Sequence, residues 1–238
     1  MTPYYDDAGV TIYHGDCREV LPTLGQVDHV ITDPPYEAEA HTKARRQRSA
    51  GVVGVLPIEF AQMDADTRTV VGAELSRVSR GWVLLFCQVE AAMLWRCAVP
   101  SAQYVRTQIW VKPDSAPQFT GDRPAMGYES IVTLWAGDGR MRWNGGGRRG
   151  VYEHMVGVSG GPRNEHPTTK PEPLMRELVA LFTDPGETIL DPFMGSGTTL
   201  VAAKRLGRRA IGIEREEKYC EIAAKRLAQG ALPLEFSA

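Results

Sequence analysis

Two short stretches combine side chains that can do chemistry with backbone that cannot relax. In "VDHVITDPPYEAEA" (27–40) an apolar run ends on Asp33, and Pro34, Pro35 and Tyr36 follow. Proline fixes φ and removes an N–H donor, so this tetrad can join neither a helix nor a sheet ladder, and its carboxylate is held still. In "TILDPFMGSGTTLVAAKRLGRRAIGIE" (188–214) a strand ends on Asp191, Gly195-Ser196-Gly197 make a tight turn, and Thr198-Thr199 open a helix. The next strand ends on Glu214, about 20 residues past the glycines, where a carboxylate can accept both hydroxyls of a ribose. Two rivals fail on the letters. A phosphate-binding P-loop needs lysine where Thr198 stands, and a dinucleotide fingerprint needs a third glycine where Leu200 stands. A ligand with a ribose, a cationic group and no pyrophosphate would suit Asp191 and Glu214.

The elements that must position these residues alternate along the chain. Strands are expected at 10–16, 27–33, 81–87, 104–112, 129–137, 187–191 and 209–214. Helices are expected at 18–24, 64–80 (with Val70, Val71, Leu75 and Val78 at helical spacing), 88–99, 171–183, 197–207 and 215–230. Pro171 sits at a helix start and Gly230 past a helix end, where each is favoured. Such alternation predicts an α/β fold, doubly wound, with a mostly parallel sheet and helices on both faces. Ligands of such sheets bind at the carboxyl ends of strands. The 238 residues read as a single domain, 1–238, with little pattern in a long loop at 37–58.

Composition narrows the class further. An apolar content of 43% is ample for a core, and the longest apolar window (81–99) carries Gln88, Glu90 and Arg96, too polar for a membrane span. The start, "MTPYYDDAG", is polar and acidic, so no leader is expected. Cys17, Cys87, Cys97 and Cys220 form no CxxC pair and have no histidines at zinc spacing, so reduced cytosolic (cytoplasmic) thiols and no metal are expected. Net charge is −2, but its distribution is uneven. Lys43, Arg45, Arg46 and Arg48 lie in one acid-free run, and Arg140, Arg142, Arg148 and Arg149 in another. Removing these eight from the 27 Lys/Arg leaves 19 cations against 29 acids. Positive charge gathered in two loops is a phosphate-facing footprint, or two solvated loops. Trp143 among the arginines is the mixture that tracks a backbone and stacks a base. Trp95, Trp110 and Trp135 stand in apolar contexts and are expected in the core.

Together, Asp33-Pro34-Pro35-Tyr36, "HPTTKPEPL" (166–174) and "DPFMGSGTT" (191–199) carry a resemblance that covers nearly the whole chain. The chain resembles the amino-methylating DNA methyltransferases that use S-adenosylmethionine, in the group where the catalytic motif precedes the cofactor loop. The resemblance implies a class I methyltransferase (Rossmann-like) fold and transfer of a methyl group to the exocyclic N6 of adenine in a base flipped out of double-stranded DNA. Asp33 favours adenine, since cytosine-N4 enzymes more often carry serine there. N4-cytosine is the nearest alternative, and a non-catalytic DNA-binding module is a distant one.

The resemblance also assigns roles. Asp33 and the Pro34 carbonyl would accept the amino N–H bonds, Pro35 would keep the segment rigid, and Tyr36 would stack on the flipped base. Asp191, Phe193, Gly195, Ser196, Gly197, Thr198 and Thr199 would line the cofactor's methionine and ribose side, close to Asp33. Glu214 would take the ribose hydroxyls and Asp16 the adenine. Thr168, Thr169 and Lys170 would meet the methionine carboxylate at a helix N-terminus, where free N–H groups favour an anion. The loop at 37–58 would close over DNA, and 113–165 would carry target recognition. A homodimer is compatible with the resemblance, and a companion nuclease of a restriction-modification pair cannot be read from one chain.

Overall fold

The computed structural model describes residues 1–35, 63–115, 117–119, 121–156 and 169–229. Tyr36, the 37–58 loop with Lys43, Arg45, Arg46 and Arg48, Thr168 and Gly230 lie outside the described residues.

The chain runs β1 (Tyr5–Asp7), β2 (Val10–His14), α1 (Cys17–Val20), a 3-10 turn (Leu21–Thr23), β3 (His29–Thr32), α2 (Ala65–Val78), β4 (Trp82–Cys87) and α3 (Ala92–Ala98). It continues through β5 (Gln103–Val111), β6 (Tyr128–Trp135), β7 (Val151–Glu153), α4 (Glu172–Phe182), β8 (Thr188–Asp191), α5 (Thr198–Arg205), β9 (Arg209–Glu214) and α6 (Glu217–Gln229). One nine-stranded sheet has the order β1-β2-β9-β8-β3-β4-β6-β5-β7. From β2 to β4 the neighbours are all parallel. β6 enters antiparallel between β4 and β5, and β1 pairs antiparallel at the edge. The expected mostly parallel sheet is present.

Strand side chains alternate between the two faces, and each face meets its own helices. Ile31, Leu84 and Phe86 pack with Leu174, Leu178 and Phe182 of α4, Leu200 of α5, and Ala223 and Leu227 of α6. Val30, Val83 and Leu85 pack with Val20 of α1, Val71, Leu75 and Val78 of α2, and Trp95 of α3. The three expected core tryptophans, Trp95, Trp110 and Trp135, are buried. Val70 departs from expectation. It is exposed, because the buried stripe of α2 runs through Val71, Leu75 and Val78 and turns the preceding residue outward. The Asp64 carboxylate caps α2 by accepting the Thr67 N–H at 2.7 Å.

The span 113–165, the candidate for target recognition, supplies β6 and β7, and hydrogen bonds on both edges make β6, the strand expected at 129–137, an internal one. What lies outside the sheet between β5 and β6 is the connection 112–127.

The topology sets the site. From β3 the chain crosses through α2 to β4 on one side, and from β8 it crosses through α5 to β9 on the other. The sheet therefore switches direction between β3 and β8, which opens a crevice at their carboxyl ends. Close packing holds the turn after β8. Gly197 has φ 78°, and a Cβ there would lie 2.7 Å from Ala223 Cβ on α6. On β9 a Cβ at Gly212 would sit 2.3 Å from Met194 Sδ and 2.7 Å from Leu200 Cδ2. Gly212→Ala is therefore expected to destabilise the fold by about 1–3 kcal/mol through overpacking. Denaturant unfolding checks this, and an unchanged midpoint would contradict the packing described.

Candidate active site at the switch point

β3 and β8 pair in parallel through His29↔Ile189 and Val30↔Leu190, so Asp191 and, two positions further along the neighbouring strand, Asp33 emerge at the crevice. The two carboxylates have different surroundings. Asp191 is 2% exposed and turned into the protein. Its Oδ1 accepts the Thr32 hydroxyl at 2.7 Å and the Phe193 N–H at 3.1 Å, and its Oδ2 accepts the Thr199 hydroxyl at 2.6 Å. Burial pushes the Asp191 carboxyl up to about 6 against these three donors. Asp191 and Thr199 thus tie β3, β8 and the following turn together.

Asp33 keeps 27% of its side chain exposed. Its Oδ2 accepts the Lys170 ammonium at 2.7 Å, while its buried Oδ1 has no partner among the described residues. Burial raises the Asp33 carboxyl to about 6, with Lys170 opposing and Glu129 reinforcing the shift. Pro34 is buried and Pro35 half-buried. Both line a small hollow with Phe86, Cys87, Gln88, Ala91 and Trp95.

Glu129, 3% exposed at the start of β6, is absent from the sequence reading. Its Oε1 accepts Lys170 at 2.9 Å, and its Oε2 pairs with the Lys112 ammonium at 2.7 Å. Asp33, Lys170, Glu129 and Lys112 form a row of alternating charge running from the crevice to half-covered surface. The sequence assigns Lys170 to a methionine carboxylate; here its ammonium lies between Asp33 and Glu129. The one available signal for Glu129 is a carboxylate opening an otherwise apolar strand.

At the end of β9, Glu214 Oε2 accepts the Gly195 N–H at 3.1 Å and Oε1 the Glu216 N–H at 2.8 Å. Each oxygen keeps a further lone pair. Burial raises this carboxyl above its usual range. Asp16 lies in the neighbouring turn after β2, where the Gly15 N–H donates to the Glu214 carbonyl at 2.9 Å. It caps α1 through the Arg18 N–H, and the Arg18 guanidinium, at 2.6 Å, holds its carboxyl below the usual range.

Gly195 and Gly197 both adopt left-handed backbone, with φ 51° and 78°. Phe193 is half-buried, packed against the α1–α3 side of the core. Ser196 and Thr198 are buried, and the Arg226 guanidinium grips the turn. It donates to the Ser196 carbonyl at 2.6 Å, the Ser196 hydroxyl at 3.2 Å and the Thr198 hydroxyl at 3.1 Å. Thr169 Oγ1 lies 3.3 Å from Ser196 Oγ. Nothing in the sequence separates Arg226 from the other cations of α6.

The second basic run does not converge on this crevice. Arg142 pairs with Glu187 at 2.6 Å and Asp184 at 3.6 Å, and its carbonyl accepts Trp82 Nε1. Those partners lie at the amino ends of β8 and β4, the sheet edge opposite Asp33. Trp143 packs edge-on against Phe182 and donates to the Gly146 carbonyl at 2.9 Å. Arg148 pairs with Glu177 of α4, while Arg140 and Arg149 are exposed. The mixture of arginine and tryptophan read as a nucleic-acid footprint closes one end of the sheet.

With this geometry in place, the comparisons with known proteins are specific. A family model described as DNA methylase, of the N6/N4 type, matches residues 27–225. The Type II methyltransferase M.HinfI of Haemophilus influenzae is 28% identical over a 250-residue alignment, covering 92% of this chain and 68% of that protein. A crystal structure of an M1.HpyAVI–SAM complex is 26% identical, with 92% of this chain and 98% of that one covered and a TM-score of 0.69. The PvuII cytosine-N4-specific DNA methyltransferase is similar in fold, with 15% identity, coverage of 99% and 90%, and a TM-score of 0.72.

The Asp191 network makes a direct prediction. Thr32→Val keeps the shape and removes one donor to a buried carboxylate, at an expected cost of about 1.5–3 kcal/mol where Asp191 is ionised. That donor lowers the Asp191 pKa, so its contribution is full only well above pH 6, where the carboxyl is ionised in both proteins, and is lost as the pH falls through about 6. Unfolding of both proteins at pH 4 and pH 8 tests this, and an equal loss at both pH values would contradict it.

Proposed function

The chain belongs to the N6-adenine/N4-cytosine family of amino-DNA methyltransferases, and from that premise we propose that it transfers the methyl group of S-adenosylmethionine to N6 of adenine in double-stranded DNA. The observation that carries the reading is the Asp33 carboxylate at the switch point, partly open to the crevice and bearing one buried oxygen without a partner among the described residues. An exocyclic amino nitrogen is a poor nucleophile because its lone pair is delocalised into the ring. In this reading Asp33 and the Pro34 carbonyl accept its two N–H bonds, draw the nitrogen toward tetrahedral geometry, and stabilise the positive charge that grows on it. The Pro34-Pro35 backbone holds both acceptors still, which an in-line transfer over near-contact distance requires. Tyr36 stacks on the base outside the helix and offsets an unstacking cost of about a few kcal/mol. Asp33, with its raised pKa, takes the proton the methylated nitrogen releases.

The residues present fit the cofactor. Glu214 has a lone pair free on each oxygen for the ribose hydroxyls, and Asp16 adjoins it for the adenine. The left-handed turn Gly195–Gly197, clamped by Arg226, brings backbone without side-chain bulk to the methionine side, with Phe193, Thr198 and Thr169 around it. When bound, S-adenosylmethionine supplies an electrophilic methyl on a sulfonium. DNA contact is assigned to the loop with Lys43, Arg45, Arg46 and Arg48, which follows the catalytic tetrad directly. Arg140 and Arg149 are open to a backbone phosphate farther out. No helix among the described residues is long and apolar enough to cross a membrane.

The test is product identity. The protein is incubated with S-adenosylmethionine and unmethylated plasmid, the DNA is digested to nucleosides, and methylated bases are identified by mass. N6-methyladenine is expected. N4-methylcytosine would keep the transfer mechanism and overturn the choice of base, and no methylated base in the presence of bound cofactor would overturn the reading.

A further inference from the structure

The buried carboxylate of Glu129 has no part in the reaction as described, yet it shares its ammonium partner with Asp33. Lys170 Nζ lies 2.7 Å from Asp33 Oδ2 and 2.9 Å from Glu129 Oε1, and the other Glu129 oxygen lies 2.7 Å from Lys112 Nζ. Lys170 is 9% exposed and Glu129 3% exposed, whereas Lys112, at 19%, reaches the rim. Aromatic faces enclose the row: Lys170 lies over Phe86 at 5.0 Å and over Trp110 at 5.9 Å, and Lys112 over Trp110 at 4.4 Å. Two anions and two cations balance, so the row can be buried at all.

The arrangement creates a problem at Asp33 and solves it. A lone lysine bonded to a half-buried aspartate would hold it as a closed ion pair and neutralise the charge that an incoming amino group needs at the other oxygen. A second carboxylate on the far side of that ammonium gives Lys170 somewhere to stay when Asp33 turns to the substrate. Lys112 in turn compensates Glu129, so that the second carboxylate remains ionised in its buried place.

We propose that Glu129 is a positioning residue for the methyl transfer: by holding Lys170 from behind, it loosens the Lys170 grip on Asp33 and leaves the Asp33 carboxylate available to the target amino group, with Lys112 keeping Glu129 in place. The inference rests on Asp33 accepting that amino group. Among the described residues, the charged groups that face Asp33 are Lys170, Glu129 and Lys112, with Asp191 on the neighbouring strand.

The experiment reads Asp33 directly, in the full chain without cofactor. Carbon-13-labelled aspartate carboxyls are titrated by NMR, with the Asp33 signal assigned by its loss in Asp33→Asn. The wild-type midpoint is expected near 6. Glu129→Gln should move it down, because a neighbouring anion is removed and Lys170 turns wholly to Asp33. Lys170→Met and Lys112→Met should both move it up. With cofactor and DNA, Glu129→Gln should lower kcat roughly ten- to a hundredfold, as misplacement of a reacting group does. Cofactor Kd should stay within about twofold, and the acid limb of the pH–rate profile should shift to lower pH. General damage to the fold would lower the rate without moving that limb downward. An Asp33 midpoint unmoved by Glu129→Gln, or a wild-type kcat in that variant, would overturn the inference. Should Glu129→Gln fail to fold, the rim variant Lys112→Met decides by the direction of its titration shift. A wild-type protein without methyl transfer would contradict the proposed function and leave the titration to judge the Glu129–Lys170–Asp33 coupling by itself.

Discussion

The parallel pairing of β3 with β8 is the constraint on which the site depends. It brings together two strands separated by more than 150 positions in the chain, one followed by Asp33 and the other ending on Asp191. Two carboxylates lie near neighbouring strand ends in a partly buried crevice, and the Asp33 charge adds to the cost of ionising Asp191. The protein meets that cost unequally. Asp191 is surrounded by short donors from β3, from the turn and from α5, and becomes a joint between elements. Asp33 is bonded through one oxygen to a single ammonium, Lys170, which it shares with Glu129.

From that division of labour the surrounding architecture follows. Asp191 fixes the start of the glycine turn, Arg226 fixes its middle, and Glu214 receives the Gly195 N–H on the far side. Gly197 and Gly212 are small because α6 and the Met194–Leu200 pair press against them. The turn is therefore rigid before any ligand arrives, and little ordering entropy remains to be lost on binding. The half of the sheet formed by β4, β5 and β6 has a separate role. It carries the apolar wall of Phe86 and Trp110, and with it the charge row that ends on Asp33.

Much of this was legible in the sequence because it rests on local rules. Strand and helix periodicity placed the central strands, the proline pair marked a rigid segment after Asp33, and the glycines before Thr198 marked the turn. The resemblance added the order of motifs that puts Asp33 and Asp191 on adjacent strands. Long-range charge pairing was not legible. Glu129 and Lys112 meet Lys170 only because β6 runs antiparallel between β4 and β5, and no spacing along the chain records that. Arg226 looks like any solvent-facing cation of an amphipathic helix until α6 packs over the turn. Within the Arg140–Arg149 run, Arg142 meets Asp184 and Glu187 and Arg148 meets Glu177, partners that no spacing within the run records. Charge clustering in sequence ignores partners supplied by the fold.

The central claim is that the Asp33 carboxylate, and not merely the shape of the crevice, activates the amino group. Asp33→Asn preserves size and one acceptor oxygen while removing the charge, so single-turnover methyl transfer to DNA by this variant, alongside its calorimetric cofactor affinity, is the most direct measurement. Loss of transfer by about 10²–10³-fold, the range for removing one group that stabilises developing charge, with cofactor affinity retained, is the predicted result. Transfer at the wild-type rate would contradict the account.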